Sequence, residues 1–133
     1  MIKSVAHVCY IVRDLDTSIA FYVEKLGLTA AFDFIDDKGA RFGVYLHAGE
    51  RTFIELFKGE VGPRAEKQSY AHLCLEVDDL PATVSTLRSR GVEVTDPKLG
   101  SDQSRQSWLA DPDGNRIELH QYTAKSRQRP WAG

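Results

Sequence analysis

The chain has 133 residues, which is enough for a compact fold with a hydrophobic core. Its composition, 42% hydrophobic and 27% charged, is ordinary for a globular protein. Its net charge of −2 excludes the strongly positive surface that would bind nucleic acids or anionic membranes. No apolar run approaches the roughly 20 residues of a membrane helix, and the N-terminus lacks a signal-peptide pattern. We therefore expect a cytoplasmic protein without a nucleic-acid or membrane partner.

The first half of the chain predicts one strand, one helix and three further strands. Residues 5–12 alternate loosely and are rich in β-branched and aromatic side chains, which indicates a strand. Apolar residues recur at helical spacing from Leu15 to Leu26, and Gly27 follows at the usual place for a helix end. The three further strands are predicted at residues 29–35, 40–46 and 52–57.

The second half predicts the same order of elements after a polar linker. Residues 97–105 are expected to form a loop, and residues 123–133 a flexible or weakly docked tail. The expected elements are a strand at 71–77, a helix from Leu80 to the stop at Gly91, a short strand at 92–94, and strands at 106–110 and 115–122.

A repeated motif relates the two halves. The ten residues 6–15 return as residues 71–80 with six identities, and Ile-Glu-Leu occurs at 54–56 and again at 117–119. His7 precedes Glu55 by 48 residues, and His72 precedes Glu118 by 46. We expect a single domain, residues 1–133, made of two similar modules. Module one spans residues 2–58, the linker 59–69, module two 70–122 and the tail 123–133.

The order strand, helix, strand, strand, strand in each module predicts an α+β fold. We expect two βαβββ modules that form curled antiparallel sheets around a metal-binding cavity. Cys9 and Cys74 occupy equivalent positions of the two modules. They are either small buried residues of central strands or possible ligands, because each shares a strand face with a His two residues earlier. A disulfide is not expected in a cytosolic chain.

The duplicated His and Glu residues indicate a divalent-metal site. Imidazole and carboxylate together suit Zn, Ni, Co, Mn or Fe(II). A single His in a strand is more often a hydrogen-bonded core residue, and a single Glu in Ile-Glu-Leu usually faces solvent. The repeat of the whole pair favours metal binding over those explanations.

Strand alternation adds candidate substrate-binding residues beside each Glu. Arg116 and His120 share a face with Glu118, and Phe53 and Phe57 share a face with Glu55. Arg116 would bind a substrate carboxylate or phosphate, or else lie on a solvated rim. His120 is either a second site residue or an ordinary strand-end residue.

These features resemble the vicinal-oxygen-chelate superfamily, which includes glyoxalase I, methylmalonyl-CoA epimerase, extradiol dioxygenases and the bleomycin- and fosfomycin-resistance proteins. The resemblance covers residues 2–122. It implies that His7, Glu55, His72 and Glu118 hold one divalent ion per site, and that both Glu residues are catalytic candidates. It also implies paired βαβββ modules assembled as a homodimer. The motifs that carry it are His7 in the opening strand, Asp14-Leu15, Leu26-Gly27-Leu28, Phe53-Ile54-Glu55-Leu56, His72 before Val77-Asp78-Asp79, and the segment from Asp111 to Leu119.

The activity implied by the resemblance is that of a glyoxalase I-like lyase or isomerase. Such an enzyme would act on a small α-hydroxycarbonyl or 2-oxo compound through a metal-stabilised enediolate. The alternatives are an epimerase of the methylmalonyl-CoA type and a metal-free protein that sequesters a small molecule, as bleomycin-resistance proteins do.

Departures from the family patterns narrow the choice of branch. Ile11 and Gly59 stand where the glutathione-using bacterial pattern has Arg and Asn, which argues against a glutathione substrate. The acid at Glu55 argues against extradiol dioxygenases and fosfomycin transferases, because the pattern of those branches has three metal ligands, His, His and Glu.

Overall fold

A computed structural model describes residues 1–132 and shows two compact units, one from Met1 to Pro63 and one from Arg64 onward. Each unit carries one four-stranded sheet and helical structure, so the predicted α+β fold of two βαβββ modules is confirmed. Among residues 1–132, no helix is long and apolar enough to span a membrane. The first unit contains β1 (His7–Val12), α1 (Leu15–Ile19), a π-helical segment (Ala20–Lys25), β2 (Thr29–Ile35), β3 (Arg41–Gly49) and β4 (Thr52–Lys58). The second contains β5 (Leu73–Glu76), α2 (Leu80–Ser89), β6 (Lys98–Leu99), β7 (Arg105–Ala110) and β8 (Arg116–Gln121).

Both sheets are mixed, which corrects the expectation of wholly antiparallel sheets. The strand orders are β1-β4-β3-β2 and β5-β8-β7-β6. The first and last strands of each unit pair in parallel, whereas the other neighbours are antiparallel. A helix and two strands separate each parallel pair in sequence, and that length of chain is enough for the crossover that parallel pairing needs.

One face of each sheet packs into the core. In the first unit Val12, Val44 and Leu56 are completely buried, as is Tyr22 of the helical segment. The second unit repeats this arrangement with Leu80 of α2 and Ile117 and Leu119 of β8. Because strand side chains alternate, the residues between these core positions lie on the opposite face of each sheet.

The predicted helix of the first unit is half α-helical and half π-helical. The Asp14 carboxylate caps α1 by accepting the Thr17 N–H at 2.8 Å, and this bond lowers the pKa of Asp14. Beyond Ile19 the backbone widens, and Leu26 N donates to the Phe21 carbonyl five residues earlier at 2.9 Å. Gly27 then ends the helical segment at φ +83°. The spacing of apolar residues in the sequence does not distinguish an α-helix, with hydrogen bonds to the fourth residue back, from a π-helix, with hydrogen bonds to the fifth.

The expected short strand at residues 92–94 is wrong. Val92 and Val94 are buried, but the Val94 carbonyl accepts a hydrogen bond from the Arg88 guanidinium at 2.8 Å and joins no strand ladder. The fourth strand of this sheet is β6, which lies in the segment predicted as a loop and pairs with β7. Two valines separated by one residue gave the alternating pattern of a strand, although this segment pairs with no other strand.

The tail is docked by polar contacts, so of the two expected alternatives, a flexible or a weakly docked segment, the structure shows a docked one. The buried Ser126 hydroxyl bonds to that of Ser104 at 2.7 Å. Gln128 Nε2 donates to Asp102 Oδ2 at 2.6 Å, and Arg127 N donates to the Asp102 carbonyl at 2.9 Å. These contacts are polar, so no pattern of apolar residues in the sequence predicts them.

Gly43 allows a close approach between β3 and β4 that can be tested. A Cβ at this position would lie 2.5 Å from Phe57 Cδ1 and 2.8 Å from the Leu56 carbonyl oxygen. We expect Gly43→Ala to lower the free energy of unfolding by about 1–3 kcal/mol through overpacking, measured by urea denaturation. Gly62→Ala is the control, since a Cβ there meets no atom within 4 Å. A Gly43→Ala variant as stable as the parent would contradict this packing.

Docking of the tail should depend on pH through Asp102. The Gln128 amide and the Ser104 N–H donate to its carboxylate and hold the pKa of Asp102 below its usual value. A depressed pKa means that docking is complete above the ordinary Asp value of about 3.9 and is lost as the pH falls through the folded-state value. We expect the amide signal of Arg127 to follow this titration by NMR. If the Arg127 amide signal titrated in the same way in Asp102→Asn, Asp102 would not be the group that controls docking of the tail.

Candidate functional site

The first predicted His/Glu pair meets on the open face of the first sheet. Parallel pairing of β1 and β4 sets Cys9 directly opposite Glu55, and His7 lies two residues before Cys9 on the same face. His7 Nε2 is 3.8 Å from Glu55 Oε1. The His7 side chain is 41% exposed and the Glu55 side chain 17%. The structure therefore brings these two residues together in a position open to a ligand.

Tyr45, which the sequence analysis did not select, orients His7. It lies on β3 opposite Glu55, and its hydroxyl oxygen is 3.1 Å from His7 Nδ1. With its proton on Nδ1, His7 donates to the Tyr45 oxygen and keeps the Nε2 lone pair free on the side of Glu55. This is the tautomer that a metal-binding imidazole needs. The pairing of β3 with β4 is the signal that identifies Tyr45, and it was not part of the sequence prediction.

The second His/Glu pair repeats this arrangement in the second unit. Cys74 of β5 lies opposite Glu118 of β8, and His72 precedes Cys74 by two residues. His72 Nε2 is 3.0 Å from Glu118 Oε2. Both predicted pairs therefore form by the same parallel register, each within its own sheet.

His120 is buried at the end of β8 and contacts Glu118, and a role in a functional site stays a prediction. Its Nδ1 is 3.2 Å from Glu118 Oε1, so the two oxygens of Glu118 contact two different imidazoles. His120 is only 7% exposed, and its Nε2 has no hydrogen-bond partner among the described residues. The nearest carboxylate oxygen to that nitrogen, Asp102 Oδ2, is 3.8 Å away. Glu118 is accordingly held on both sides.

Arg116 lies on the face that carries Glu118. Its guanidinium carbon is 4.6 Å from the centre of the Trp108 ring, a cation–π contact. Trp108 is opposite Glu118 on β7 and meets the His72 ring edge-on at 4.7 Å. The strand alternation predicted this face for Arg116, and a role in substrate binding stays a prediction.

Phe53 and Phe57 share a face with Glu55, as strand alternation predicted. Phe53 stacks on Tyr45 at 4.9 Å, and Phe57 contacts Phe34 at 4.9 Å. The sequence pattern does not identify the other aromatic residues of this surface, because the pairing of β2 with β3 brings them in. We call the whole group the aromatic floor; it consists of Phe32, Phe34, Phe42, Tyr45, Phe53 and Phe57.

The two cysteines are exposed free thiols, which corrects the interpretation of both as buried residues. Partial burial of the sulfur and the neighbouring Glu55 raise the pKa of Cys9. The same causes, with Glu118 as the neighbour, raise the pKa of Cys74 to about 12. Both groups are therefore protonated thiols at neutral pH. Donor atoms of Cys74, Glu118 and His120 lie within 4.8 Å of one another, so Cys74 remains within reach of a metal ion.

The donor atoms of each pair fit a divalent ion. Nitrogen and oxygen ligands lie about 2.1 Å from such an ion, so two of them stand roughly 3 Å apart at a right angle and roughly 4 Å apart when opposite. The His72–Glu118 separation of 3.0 Å and the His7–Glu55 separation of 3.8 Å both lie in this range. Imidazole and carboxylate are also the donors that first-row divalent ions accept.

Comparisons with known proteins agree with the repeated fold. Over 130 residues the chain is 33% identical to the metallothiol transferase FosB of Staphylococcus epidermidis, covering 95% of this chain and 87% of that protein. It is 30% identical over 124 residues to a probable lactoylglutathione lyase of Vibrio cholerae, covering 88% and 89%.

A solved structure shows the same likeness. TnmS3, an antibiotic binding protein from Streptomyces sp. CB03234, superposes with a TM-score of 0.73 at 32% identity, over 92% of this chain and 98% of that one. The sequence model of the Glyoxalase/Bleomycin resistance protein/Dioxygenase superfamily matches residues 4–119. The chain therefore belongs to the Glyoxalase/Bleomycin resistance protein/Dioxygenase superfamily, which the sequence motifs had indicated.

Proposed function

We propose that this protein is a divalent-metal-dependent lyase or isomerase of the glyoxalase I type, acting on a small α-hydroxycarbonyl or 2-oxo compound. The observation that carries the proposal is the identical register in both sheets, where a Cys faces a Glu and a His precedes the Cys by two residues. His7, Glu55, His72 and Glu118 would hold one divalent ion per site, of Ni, Zn, Co, Mn or Fe(II). Such an ion would act as a Lewis acid on the substrate carbonyl.

The two Glu residues have unequal surroundings, which supports different roles. Glu118 contacts His72 through one oxygen and His120 through the other, and its side chain is 11% exposed. Glu55 contacts His7 at 3.8 Å and is more exposed. We assign Glu118 to the fixed ligand role and Glu55 to the general base.

Proton transfer by Glu55 accounts for both reactions considered above. Its carboxylate would take a proton from the carbon beside the substrate carbonyl, which leaves an enediolate. Returning the proton to the former carbonyl carbon, while the hydroxyl proton moves to the former carbonyl oxygen, gives the isomer. Returning it to the same carbon, from the other face, gives the epimer.

A substrate without glutathione is supported by the packing at the end of β1. A Cβ at Gly59 would lie 2.7 Å from Ile11 Cγ2, so a larger residue at position 59 would require Ile11 to move. Ile11 itself is exposed and apolar. Neither position supplies the polar contact that the bacterial glutathione-using pattern has there.

A second candidate function is metal-free sequestration of a small molecule. The aromatic floor favours it, and TnmS3 is an antibiotic binding protein with the same fold. Under either function we propose a small-molecule ligand and a homodimer. Retention of ligand affinity after chelation would distinguish sequestration from the enzyme.

Metal content is the first test of the enzyme. We expect protein purified without an affinity tag, and loaded with Ni, Zn, Co, Mn or Fe(II), to hold about one ion per site by elemental analysis. His7→Ala and Glu118→Ala should each lose it, because each removes a ligand. Gly62→Ala, which changes no donor, is the control. Full metal content in both ligand variants would contradict the proposed site.

Solvent exchange separates the roles of the two Glu residues. With 2-hydroxyacetophenone in D₂O, we expect NMR to show exchange at the carbon beside the carbonyl. Glu55→Gln should slow this exchange by about 10²–10⁴-fold, since it removes the base. Its metal should be retained, because His7, His72 and the fixed ligand Glu118 remain. Glu118→Gln should lose both metal and exchange. Full exchange in Glu55→Gln would exclude Glu55 as the base, and exchange without net isomerisation would identify an epimerase.

A further inference from the structure

The repeated framework carries different side chains in its two copies. In both units the Glu of the last strand has one residue on either side of it on the same face. At three equivalent positions around the Glu-bearing strand, the second unit has a polar residue where the first unit has an apolar one. On the Glu-bearing strand, Arg116 corresponds to Phe53, and His120 corresponds to Phe57. On the neighbouring strand, Gln106 faces His120 where Gly43 faces Phe57.

The aromatic floor is continuous and reaches the proposed metal ligands. Tyr45 contacts Phe32 and Phe53, each at 4.9 Å between ring centres, and its hydroxyl meets His7. Phe34 joins Phe32 at 5.3 Å and Phe57 at 4.9 Å. The rings therefore form one surface that starts beside His7 and Glu55 and extends towards the edge strand β2.

Much of this surface is open. Phe32 is 51% exposed and Phe42 is 42% exposed, although both are large apolar residues. Phe42 and Phe57 stack with an angle of 13° between their planes, and Gly43, which lacks a side chain, lies directly under Phe57. An exposed cluster of this kind marks a binding site more often than ordinary surface.

The charged residues of the strands that carry the floor disfavour an anionic partner. The strands β1–β4 contain two cationic residues, Arg41 and Lys58. Arg41 pairs with Asp16 of α1, on the core side of the sheet, and Lys58 alternates away from Phe57. The Glu55 carboxylate shares the face of Phe53 and Phe57, and it repels anions.

We propose that the aromatic floor is the specificity subsite and binds an uncharged aromatic group on the substrate, whose oxygens then reach the His7–Glu55 end. The assignment of that group to a substrate rests on the proposed function. Binding of the aromatic group itself depends only on the rings. Stacking on ring faces and exclusion of water from them supply the attraction.

The test uses 2-naphthol, an uncharged aromatic probe without a metal-chelating pair of oxygens. Calorimetric titration should show that it binds equally to chelator-treated and metal-loaded protein. Phe32→Ala should weaken binding by roughly fivefold, the typical effect of losing one aromatic stack. Naphthalene-2-sulfonate should bind at least about tenfold more weakly than 2-naphthol, because the floor offers no cation.

Two matched variants control for folding and for apolar contact alone. Ile35→Ala removes a residue of the same strand with 52% exposure that pairs with Arg41 at the end of β2, and it should leave 2-naphthol affinity unchanged. Phe32→Leu keeps an apolar side chain but removes the ring, so it should fall between the parent and Phe32→Ala. Melting temperatures within a few degrees of the parent confirm that each variant is folded.

The outcomes separate this inference from the proposed function. If metal is not taken up but 2-naphthol binds and responds to Phe32→Ala, the enzyme proposal fails and the subsite stands. If metal and exchange behave as proposed but 2-naphthol does not bind, the subsite is overturned. It is also overturned if Phe32→Ala leaves 2-naphthol affinity unchanged, or if it instead converts a dimer to a monomer in sedimentation, which would make the floor a subunit interface.

Discussion

Parallel pairing of β1 with β4 sets Cys9 beside Glu55, and the same pairing of β5 with β8 sets Cys74 beside Glu118. A parallel ladder fixes which side chains are neighbours across the two strands, because a shift of one residue would turn every side chain to the opposite face. The same shift would expose Ile54 and Leu56, which are now buried. Burial of the core side of each sheet thus holds the His and Glu residues in register on the other side.

Within this shared register the two halves differ in the residues that surround the Glu. Glu118 is enclosed between two imidazoles, and Arg116 lies over Trp108 on the same face. Glu55 has one imidazole contact and a border of aromatic rings. Under the proposed function, the polar surroundings of Glu118 suit the holding of an ion, and the aromatic residues beside Glu55 suit the selection of a substrate.

Much of this could be predicted from sequence, for reasons that also explain the failures. Strand β2 was predicted at its observed bounds, and the repeated motif identified both His/Glu pairs. Patterns in sequence report which face is buried, but not which strands pair. The role of Tyr45 therefore depended on the observed pairing of β3 with β4. Val92 and Val94 show the converse, since they are buried without pairing, and the tail is docked by serine and glutamine contacts that leave no periodic signal.

The raised pKa of Cys74 has a consequence for the chemical durability of the protein. With a pKa of about 12, only about one thiol in 10⁵ is a thiolate at pH 7, and the thiolate is the form that peroxides and alkylating agents attack. An exposed cysteine next to the Glu118 carboxylate is thereby kept in the less reactive thiol form. Because the positive charge of a bound cation would lower that pKa, the reactivity of this sulfur would report whether an ion is present.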